Sequence, residues 1–303
     1  MKKGLVGLSV LAGLLFSGVT FADVTERQVD IYSDGTRIRG TVFQPASPNG
    51  GKLPALVLAH GWGGTAARLR PQAEKFALAG FFTLVIDYRG WGESDARWIN
   101  DISATGEQTR RELRETVDPI DQATDISNAV HWIMGEPAVD ASRVGLWGTS
   151  FSGGLIVHVA ARDSRIRAIV SQVAWFGESR IGAAKDAFTT SRAIATRRAR
   201  GEIGFPPPGA RIIGNLRGGP ISEKFLQYAP IDDVAAMHSA LLVIDAEKEE
   251  LFDTRAHGAA VFERAKEPKR RVVIPGIAHY GIYSEAREQA TELAVEWFKQ
   301  HLQ

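Results

Sequence analysis

The chain contains no cysteine among its 303 residues, so disulfide bonds cannot contribute to its stability. The same absence excludes metal sites that are built on thiolate ligands. The formal net charge is only +1 at pH 7, so there is no basic excess to attract nucleic acid. We therefore expect neither a nucleic-acid partner nor a metal, and no other cofactor is expected.

Long apolar runs are scarce, and the stretch from Leu5 to Val19 is too short for a comfortable membrane span. It follows Lys2 and is followed by small residues that end at Ala22. A basic start, a short apolar core and a small final residue are typical of a secretory signal peptide. We predict a signal peptide over residues 1–22, a mature protein that begins at Asp23, and a periplasmic or secreted location without stable membrane insertion. An uncleaved anchor is the alternative.

Short apolar runs alternate with helix-like segments through most of the remaining chain. Residues Ala55–Ala59 are continuously apolar, as expected of a parallel strand that is covered on both faces, and Phe81–Ile86 is predicted to be the next parallel strand. Helices are predicted over Ala66–Leu78 and from Pro119 to about Met134. This alternation predicts a mostly parallel sheet, and the length is common for one α/β domain over residues 23–303. Nearer the start of the chain, Arg27–Tyr32 and Thr36–Phe43 alternate between apolar and polar residues with a turn at residues 34–35 between them, which predicts a hairpin at a sheet edge.

Two segments do not fit the alternation. Residues 94–118 are charged and aperiodic, and we expect an excursion or a short helix there. Residues 176–230 separate two strands by far more than a normal crossover needs, which predicts a cap-like insertion. Its cations could attract an anionic substrate, but charge runs usually form a solvated face, and we favour that interpretation. The cations meant here lie in the first part of the insertion and are Arg180, Lys185, Arg192, Arg197, Arg198 and Arg200.

One serine stands at a predicted strand–turn–helix junction. The apolar run Val144–Trp147 ends abruptly in small residues, and a helix-compatible apolar run follows from Leu155 to Ala161. Ser150 lies in the turn, with Gly148 and Ser152 two residues away on either side. Such a turn strains the backbone and exposes the serine hydroxyl above the sheet edge, and it requires small neighbours. Ser150 is therefore a candidate nucleophile.

A serine hydroxyl needs a base, and the base needs a group that orients it. Downstream of Ser150, the strand-like run Leu241–Ile244 is followed by an acidic cluster at residues 245–250. A further strand-like run, Arg271–Ile274, is followed by a loop that contains His279. Serine, acid and histidine in this order are typical of α/β hydrolases.

The chain resembles the α/β-hydrolase superfamily, and more closely its dienelactone-hydrolase-like and prolyl-peptidase-like branch of the Xaa-Pro dipeptidyl-peptidase type. The motifs that carry the resemblance are His60–Gly64, Asp87–Ser94, the serine turn, Leu241–Leu251 and Gly276–His279. It implies an α/β-hydrolase fold with a mostly parallel eight-stranded sheet, helices on both faces and a helical insertion after the sixth strand.

The resemblance also implies the catalytic roles. Ser150 would be the nucleophile and His279 the base. In the family, a small residue follows the strand and the acid comes three positions after that small residue. Ala246 is the small residue here, so the acid would be Glu249. Three neighbouring carboxylates compete with Glu249, and ordinary surface charge is their simpler explanation. They are Asp245, Glu247 and Asp253.

Two further roles follow from the same motifs. The oxyanion hole would be formed by the backbone N–H groups of Trp62 and of Phe151, the residue after the nucleophile. His257 is the only serious rival to His279, and it is disfavoured because it falls within a predicted helix. For His60 the resemblance implies a structural role.

These residues predict a secreted serine hydrolase that cleaves a carboxylic ester through an acyl-enzyme. The expected partner is a small-molecule ester or a short peptide, while the oligomeric state stays open. A serine peptidase of the Xaa-Pro dipeptidyl-peptidase type is the main alternative, although such peptidases usually carry an additional domain. Acyl transfer, dienelactone hydrolysis and a binding protein on a hydrolase fold are further alternatives.

Overall fold

The structure is a computed structural model that describes residues 24–46, 50–103, 105–213 and 216–303. The predicted signal peptide lies outside the described residues. A central sheet of eight strands forms the framework. Its strands are β1 (Val24–Ser33), β2 (Thr36–Pro45), β3 (Leu53–Ala59), β4 (Phe82–Ile86), β5 (Val139–Thr149), β6 (Ile166–Gln172), β7 (Ala240–Ala246) and β8 (Lys269–Ile274).

The strand order across the sheet is β1-β2-β4-β3-β5-β6-β7-β8. Only β2 runs antiparallel to its neighbours β1 and β4; the other pairs are parallel. The edge hairpin turns at Asp34 and Gly35, which both have positive φ. The prediction of a mostly parallel eight-stranded sheet is confirmed.

Helices cover both faces of the sheet, as predicted. They are α1 (Arg70–Leu78), α2 (Pro119–Met134), α3 (Phe151–Ala160), α4 (Thr189–Ala199), α5 (Pro230–Asp233), α6 (Ala260–Arg264) and α7 (Arg287–Leu302). Ile126 of α2 and Leu155 of α3 belong to the buried cluster on one face. Phe76 of α1 and Phe298 of α7 belong to the cluster on the other face. Because both faces are covered, strands such as β3 and β4 are buried along almost their whole length and are mostly apolar.

The residues at 94–118 form an antiparallel hairpin rather than a short helix. Strand Trp98–Ile102 pairs with strand Gln108–Glu112. The buried carboxylate of Asp101 accepts hydrogen bonds from Arg111 Nε at 2.7 Å and from the backbone N–H of Phe205 at 2.9 Å. Polar contacts rather than apolar burial therefore define this hairpin, which explains the absence of a hydrophobic period.

The insertion between β6 and β7 contains the helix α4 and several short extended pieces. Strand Arg211–Ile213 pairs with Leu216–Arg217, and Gly219–Pro220 pairs in parallel with Thr116–Val117, just before α2. A 3₁₀ helix follows at Ser222–Gln227. No residue of α4 is buried, so this helix lies on the surface. Within the described parts of the chain, no helix is long and apolar enough to cross a membrane.

Candidate active site

Ser150 occupies a strained turn between β5 and α3. Strand β5 ends at Thr149, helix α3 begins at Phe151, and Ser150 between them has φ 56° and ψ −123°. A positive φ costs energy for a residue with a side chain and persists only where the surrounding structure holds it. The backbone N–H of Ser150 donates to the carbonyl oxygen of Gln172, at the end of β6, at 2.9 Å. The side chain stays partly exposed at the sheet edge.

Glycines allow the strand and the helix to approach closely around this turn. A Cβ atom at Gly148 would lie 2.5 Å from the carbonyl oxygen of Ser152, and one at Gly153 would lie 2.4 Å from Cβ of Ala174. Both distances are shorter than real contacts allow. Gly61 likewise passes so close that its Cβ would lie 2.9 Å from Cβ of Ser150. The loop after β3 is therefore packed directly against the candidate nucleophile.

Ser152 contributes more than small size at a position where the motif usually has glycine. Its fully buried hydroxyl accepts from the backbone N–H of Thr149 at 2.8 Å. It donates to the carbonyl oxygen of Ala59 at 2.6 Å and also lies 2.9 Å from that of Thr149. Ser152 thus connects the turn to the end of β3, a role that the sequence alone did not reveal.

His279 and Glu249 complete a hydrogen-bonded series with Ser150. Nε2 of His279 lies 3.1 Å from Oγ of Ser150, and Nδ1 lies 2.7 Å from Oε2 of Glu249. The side chains of His279 and Glu249 are each only 2% exposed. The second oxygen of Glu249 accepts from the backbone N–H of Leu251 at 3.0 Å, which fixes the carboxylate. The structure therefore brings together the three residues that the sequence selected.

Glu250 holds the other side of the histidine loop. Its Oε2 accepts from the backbone N–H of His279 at 2.6 Å. Glu247 supports the same loop, because its carboxylate accepts from the backbone N–H of Gly276 at 2.7 Å. Neither contact was foreseen, and neither carboxylate bonds to the imidazole.

The remaining two carboxylates near Glu249 bind arginines. Asp245 is buried and pairs with Nε of Arg271 at 2.7 Å; burial raises the pKa of its carboxyl despite that partner. Asp253 is exposed, and its hydrogen bonds with Arg255 lower its pKa to about 2. Neither carboxylate is hydrogen-bonded to the imidazole of His279.

Two other histidines, His257 and His60, are buried within the fold. His257 is buried, its Nδ1 accepts from the backbone N–H of Phe176 at 3.3 Å, and burial lowers its pKa. His60 is also buried with a lowered pKa, and its Nδ1 lies 3.0 Å from the carbonyl oxygen of Gly61. Neither imidazole is hydrogen-bonded to Ser150.

The predicted oxyanion donors flank the nucleophile. Trp62 follows Gly61, which touches Ser150, and among the described residues its backbone N–H has no hydrogen-bond acceptor. Phe151 is the first residue of α3, so its N–H has no intrahelical acceptor. The two groups are thus available to an oxygen atom bound beside Ser150.

The insertion packs directly on the loop that carries Trp62. The indole N–H of Trp62 donates to the carbonyl oxygen of Gly218 at 3.0 Å. A Cβ at Gly63, which has φ +69°, would lie 2.7 Å from the carbonyl oxygen of Arg217. The extended pieces of the insertion therefore pack against the loop that lies next to the candidate nucleophile.

A cavity with aromatic walls lies between this loop and the insertion. Its volume is about 350 Å³. The lining residues are Trp62, Trp175, Glu178, Arg180, Ala187, Phe188, Ser191, Pro220, Ser222, Phe225, Leu226 and Tyr228. Among the described residues, no cluster of three or more histidine, aspartate or glutamate side chains could hold a metal ion.

This geometry suits nucleophilic attack on a carbonyl carbon. A serine hydroxyl within reach of an imidazole can lose its proton as it attacks, and a carboxylate behind the imidazole stabilises the resulting charge. Preorganised N–H donors can then receive the developing oxyanion. The chemistry needs only side chains and backbone groups that this chain provides.

Comparison with known proteins gives a family and a fold. The family model described as X-Pro dipeptidyl-peptidase (S15 family) matches residues 34–198, which include the loop after β3 and the serine turn. The solved structure of the alpha/beta hydrolase GrgF from a Penicillium species has a TM-score of 0.71 at 22% identity. That similarity covers 92% of this chain and 99% of GrgF.

Relatives by sequence include both a protein without an assigned activity and an enzyme. An uncharacterized 31.7 kDa protein in the traX-finO intergenic region of Escherichia coli is 28% identical over 280 residues, which cover 83% of this chain and 92% of that protein. The thiohydrolase aneE of Aspergillus aculeatus is 34% identical over 139 residues, which cover 46% of this chain and 38% of that enzyme.

Proposed function

Since this chain belongs to the X-Pro dipeptidyl-peptidase (S15) family, a family of α/β hydrolases, we propose that it is a serine hydrolase that cleaves carboxylic esters through an acyl-enzyme. One observation carries the proposal. Ser150, His279 and Glu249 form a continuous hydrogen-bonded series, with distances of 3.1 and 2.7 Å at the two nitrogens of the imidazole.

The reaction begins with attack of Ser150 Oγ on the ester carbonyl carbon while Nε2 of His279 accepts the hydroxyl proton. Glu249 holds the imidazole in the orientation that exposes Nε2 and stabilises its positive charge. The backbone N–H groups of Trp62 and Phe151 would receive the carbonyl oxygen as it becomes an oxyanion. A donor of this kind typically contributes about 2.7–4 kcal/mol to transition-state stabilisation.

The tetrahedral intermediate collapses when His279 returns the proton to the leaving alcohol, which leaves an ester between the acyl group and Ser150. A water molecule then attacks this ester, and His279 accepts a proton from the water. The acid is released when the proton passes back to Ser150 Oγ. Atoms balance over the cycle: one ester and one water give one acid and one alcohol.

Covalent labelling tests the nucleophile directly. The wild-type protein is treated with a fluorophosphonate probe, which forms a stable bond with an activated serine, and Ser150→Ala serves as the control. We expect labelling of the wild type and none of the variant. A folded wild-type protein that resists the probe would favour the binding-protein alternative.

A substrate panel tests the ester assignment. Esters with small, medium and aromatic acyl groups are assayed beside aminoacyl-proline anilides, and kcat/KM is compared for each. We expect hydrolysis of esters at rates well above those of the anilides. Faster cleavage of the anilides would assign the protein to the peptidases instead.

The peptidase alternative has one supporting observation. Glu178 lies on the cavity wall, is exposed, and forms neither an ion pair nor a hydrogen bond with the described residues. A free carboxylate could bind the terminal ammonium group of a dipeptidyl substrate. If the protein is such a peptidase, Glu178→Gln should raise KM for the anilides by at least about tenfold, since the loss of an ion-pair partner at a site costs of the order of 1.4 kcal/mol or more.

We also propose that the protein is exported. The support is the order of a basic start, an apolar core and Ala22 at the start of the sequence. N-terminal sequencing of protein from the periplasm or the medium should give Asp23 as the first residue. Intact Met1 on protein in the cytoplasm would contradict the proposal.

A further inference from the structure

The cavity beside Ser150 has a wall composition that suggests what it binds. Its volume of about 350 Å³ is near the lower end of the range for small-molecule sites. Five of its lining residues are aromatic: Trp62, Trp175, Phe188, Phe225 and Tyr228. Aromatic side chains provide large apolar surfaces, and their flat faces favour stacked or edge contacts with another ring.

These rings do not bury one another completely. Trp62, Trp175 and Phe225 are only half-buried, whereas Tyr228 is buried behind them. The ring centroids of Trp62 and Phe225 are 6.2 Å apart, and those of Trp175 and Phe225 are 6.0 Å apart. The rings surround the cavity instead of closing it, so part of their surface remains available to a ligand.

The cavity is connected to the serine turn through the side chains of its wall. Trp62 lines it and belongs to the loop whose Gly61 lies against Ser150. The ring of Phe151, the residue after Ser150, contacts those of Trp62 and Trp175 at centroid distances of 5.2 and 6.0 Å. An acyl group on Ser150 Oγ, with its oxygen toward the N–H of Trp62, therefore has the aromatic walls next to it.

The charges at the cavity disfavour an anionic group. The guanidinium of Arg180 donates to the backbone carbonyls of Phe225 and Tyr228 and lies 5.1 Å from the centre of the Phe188 ring. This cation is therefore already engaged. The carboxylate of Glu178 has no ion-pair or hydrogen-bond partner among the described residues and would repel a ligand carboxylate.

We infer that the cavity is an acyl-binding site for an uncharged aromatic acyl group. The inference rests on the proposed function, because an acyl-binding site presupposes that an acyl group becomes attached to Ser150. The cavity is thereby assigned to the acyl part of the ester and not to the alcohol part. It adds a substrate class to that function: esters or thioesters of arylalkanoic acids.

Ethyl thioesters provide a test without an aromatic leaving group. The acyl groups are acetyl, hexanoyl, 3-phenylpropanoyl and 3-cyclohexylpropanoyl, and the released thiol is measured with Ellman's reagent. The protein has no cysteine, so the reagent reports only the released thiol. The cyclohexyl compound matches the phenyl compound in length and apolar character but lacks the flat ring.

We expect kcat/KM for the 3-phenylpropanoyl thioester to exceed that for the acetyl thioester by at least about tenfold, in line with what apolar pockets gain from added carbon groups. The phenyl compound should exceed the cyclohexyl compound by about threefold or more, because ring–ring contacts add to area burial. Equal rates for phenyl and cyclohexyl would overturn the aromatic assignment.

A pair of variants on α4 tests whether the cavity is the site. Ser191 lines the cavity, so Ser191→Trp should fill it and lower the phenylpropanoyl-to-acetyl ratio of kcat/KM by at least about tenfold. Ala193 is exposed on the same helix and does not line the cavity, so Ala193→Trp should leave the ratio unchanged. Circular dichroism checks that both variants are folded.

The outcomes separate this inference from the proposed function. Hydrolysis of the acetyl and hexanoyl thioesters with no preference for the phenyl compound would refute the aromatic acyl site and leave the serine hydrolase in place. An unchanged ratio in Ser191→Trp would also refute it. Failure to hydrolyse every thioester, together with the absence of fluorophosphonate labelling, would refute the proposed function itself.

Discussion

Two neighbouring regions of the molecule are built in opposite ways. One is the sheet edge that carries Ser150, Glu249 and His279, and the other is the insertion beside it. The sheet-edge residues follow strands β5, β7 and β8, and β7 is buried along its whole length. The insertion consists of short pieces, and its helix α4 buries no residue. Close packing fixes the reacting atoms within tight limits, whereas an exposed segment tolerates changes in its surface. We therefore expect the two regions to respond very differently to substitution.

The largest effect is expected at the reacting atoms. Ser150→Ala removes the proposed nucleophile and should lower kcat by about 10³-fold or more, while the fold is retained. His279→Ala should be equally damaging, and the double variant should be hardly worse, because residues that act in one step show strongly non-additive losses. Steady-state ester hydrolysis measures each loss.

His257→Ala is the matched control, since His257 is buried beside Phe176 rather than bonded to Ser150. It should keep most of the activity of the folded protein. Independent, multiplying losses in the Ser150 and His279 variants would show that the two residues do not share a step. If His257→Ala were folded but inactive, the role of base would have to be assigned to His257 instead of His279.

The next effect is expected at the acid. Glu249→Gln keeps the shape of the side chain but removes the charge that stabilises the imidazolium, so kcat should fall by about 10²- to 10⁴-fold. Glu247→Gln and Asp253→Asn should be close to wild type, because their carboxylates bond to Gly276 and Arg255 instead. An active Glu249→Gln beside an inactive neighbour would reassign the acid.

Much of the sheet could be predicted because buried parallel strands appear in the sequence as short apolar runs. A strand such as β3 is covered on both faces, so its residues are continuously apolar. Ser150 and His279 could be predicted for the same reason, since each lies in the turn or loop after a strand that is recognisable as an apolar run. Glu249 depended on the resemblance and on counting from Ala246, and it does bond to His279.

The sequence shows no comparable apolar pattern for the hairpin at residues 98–112 or for the short pieces of the insertion. Asp101 is buried in the hairpin through contacts with Arg111 and with the backbone of Phe205, more than ninety positions away in the chain. Pairings between distant polar groups have no local period, so a pattern search along the sequence does not detect them. The contact of Glu250 with the backbone of His279 escaped prediction for the same reason.

Ser152 provides a test of how strongly packing supports the turn. Ser152→Gly restores the residue usual in this motif but leaves the N–H of Thr149 and the carbonyl of Ala59 without the hydroxyl. An unsatisfied buried polar group costs about 1–3 kcal/mol, so the free energy of unfolding should fall by that amount. We also expect kcat to fall by about tenfold, since the end of β3, which leads into the loop with Trp62, loses one hydrogen bond to the turn.

Urea denaturation and kcat with a fixed ester measure the two effects in Ser152→Gly. Ser152→Ala is the control, because it removes the same hydroxyl while keeping a side chain of similar size. Both variants should lose stability to a similar degree if the hydroxyl is responsible. Wild-type stability and activity in both would show that the hydrogen bonds of Ser152 do not support the site.

The smallest effect is expected on the outer face of α4. Arg197 and Arg200 are more than half exposed, and within the described residues their guanidinium groups form ion pairs only with Glu202; exposed ion pairs contribute about 0–1 kcal/mol. The double variant Arg197→Gln/Arg200→Gln should change kcat/KM for a neutral ester less than about twofold and stability by at most about 0.5 kcal/mol. Arg198 on the same helix is the contrast, because its side chain is only 13% exposed and pairs with Glu223. Arg198→Met should therefore lower thermal stability clearly. A large loss of activity in the double variant, or a preference for anionic esters that disappears with it, would show that the outer cations steer substrate and would remove the distinction between the two regions.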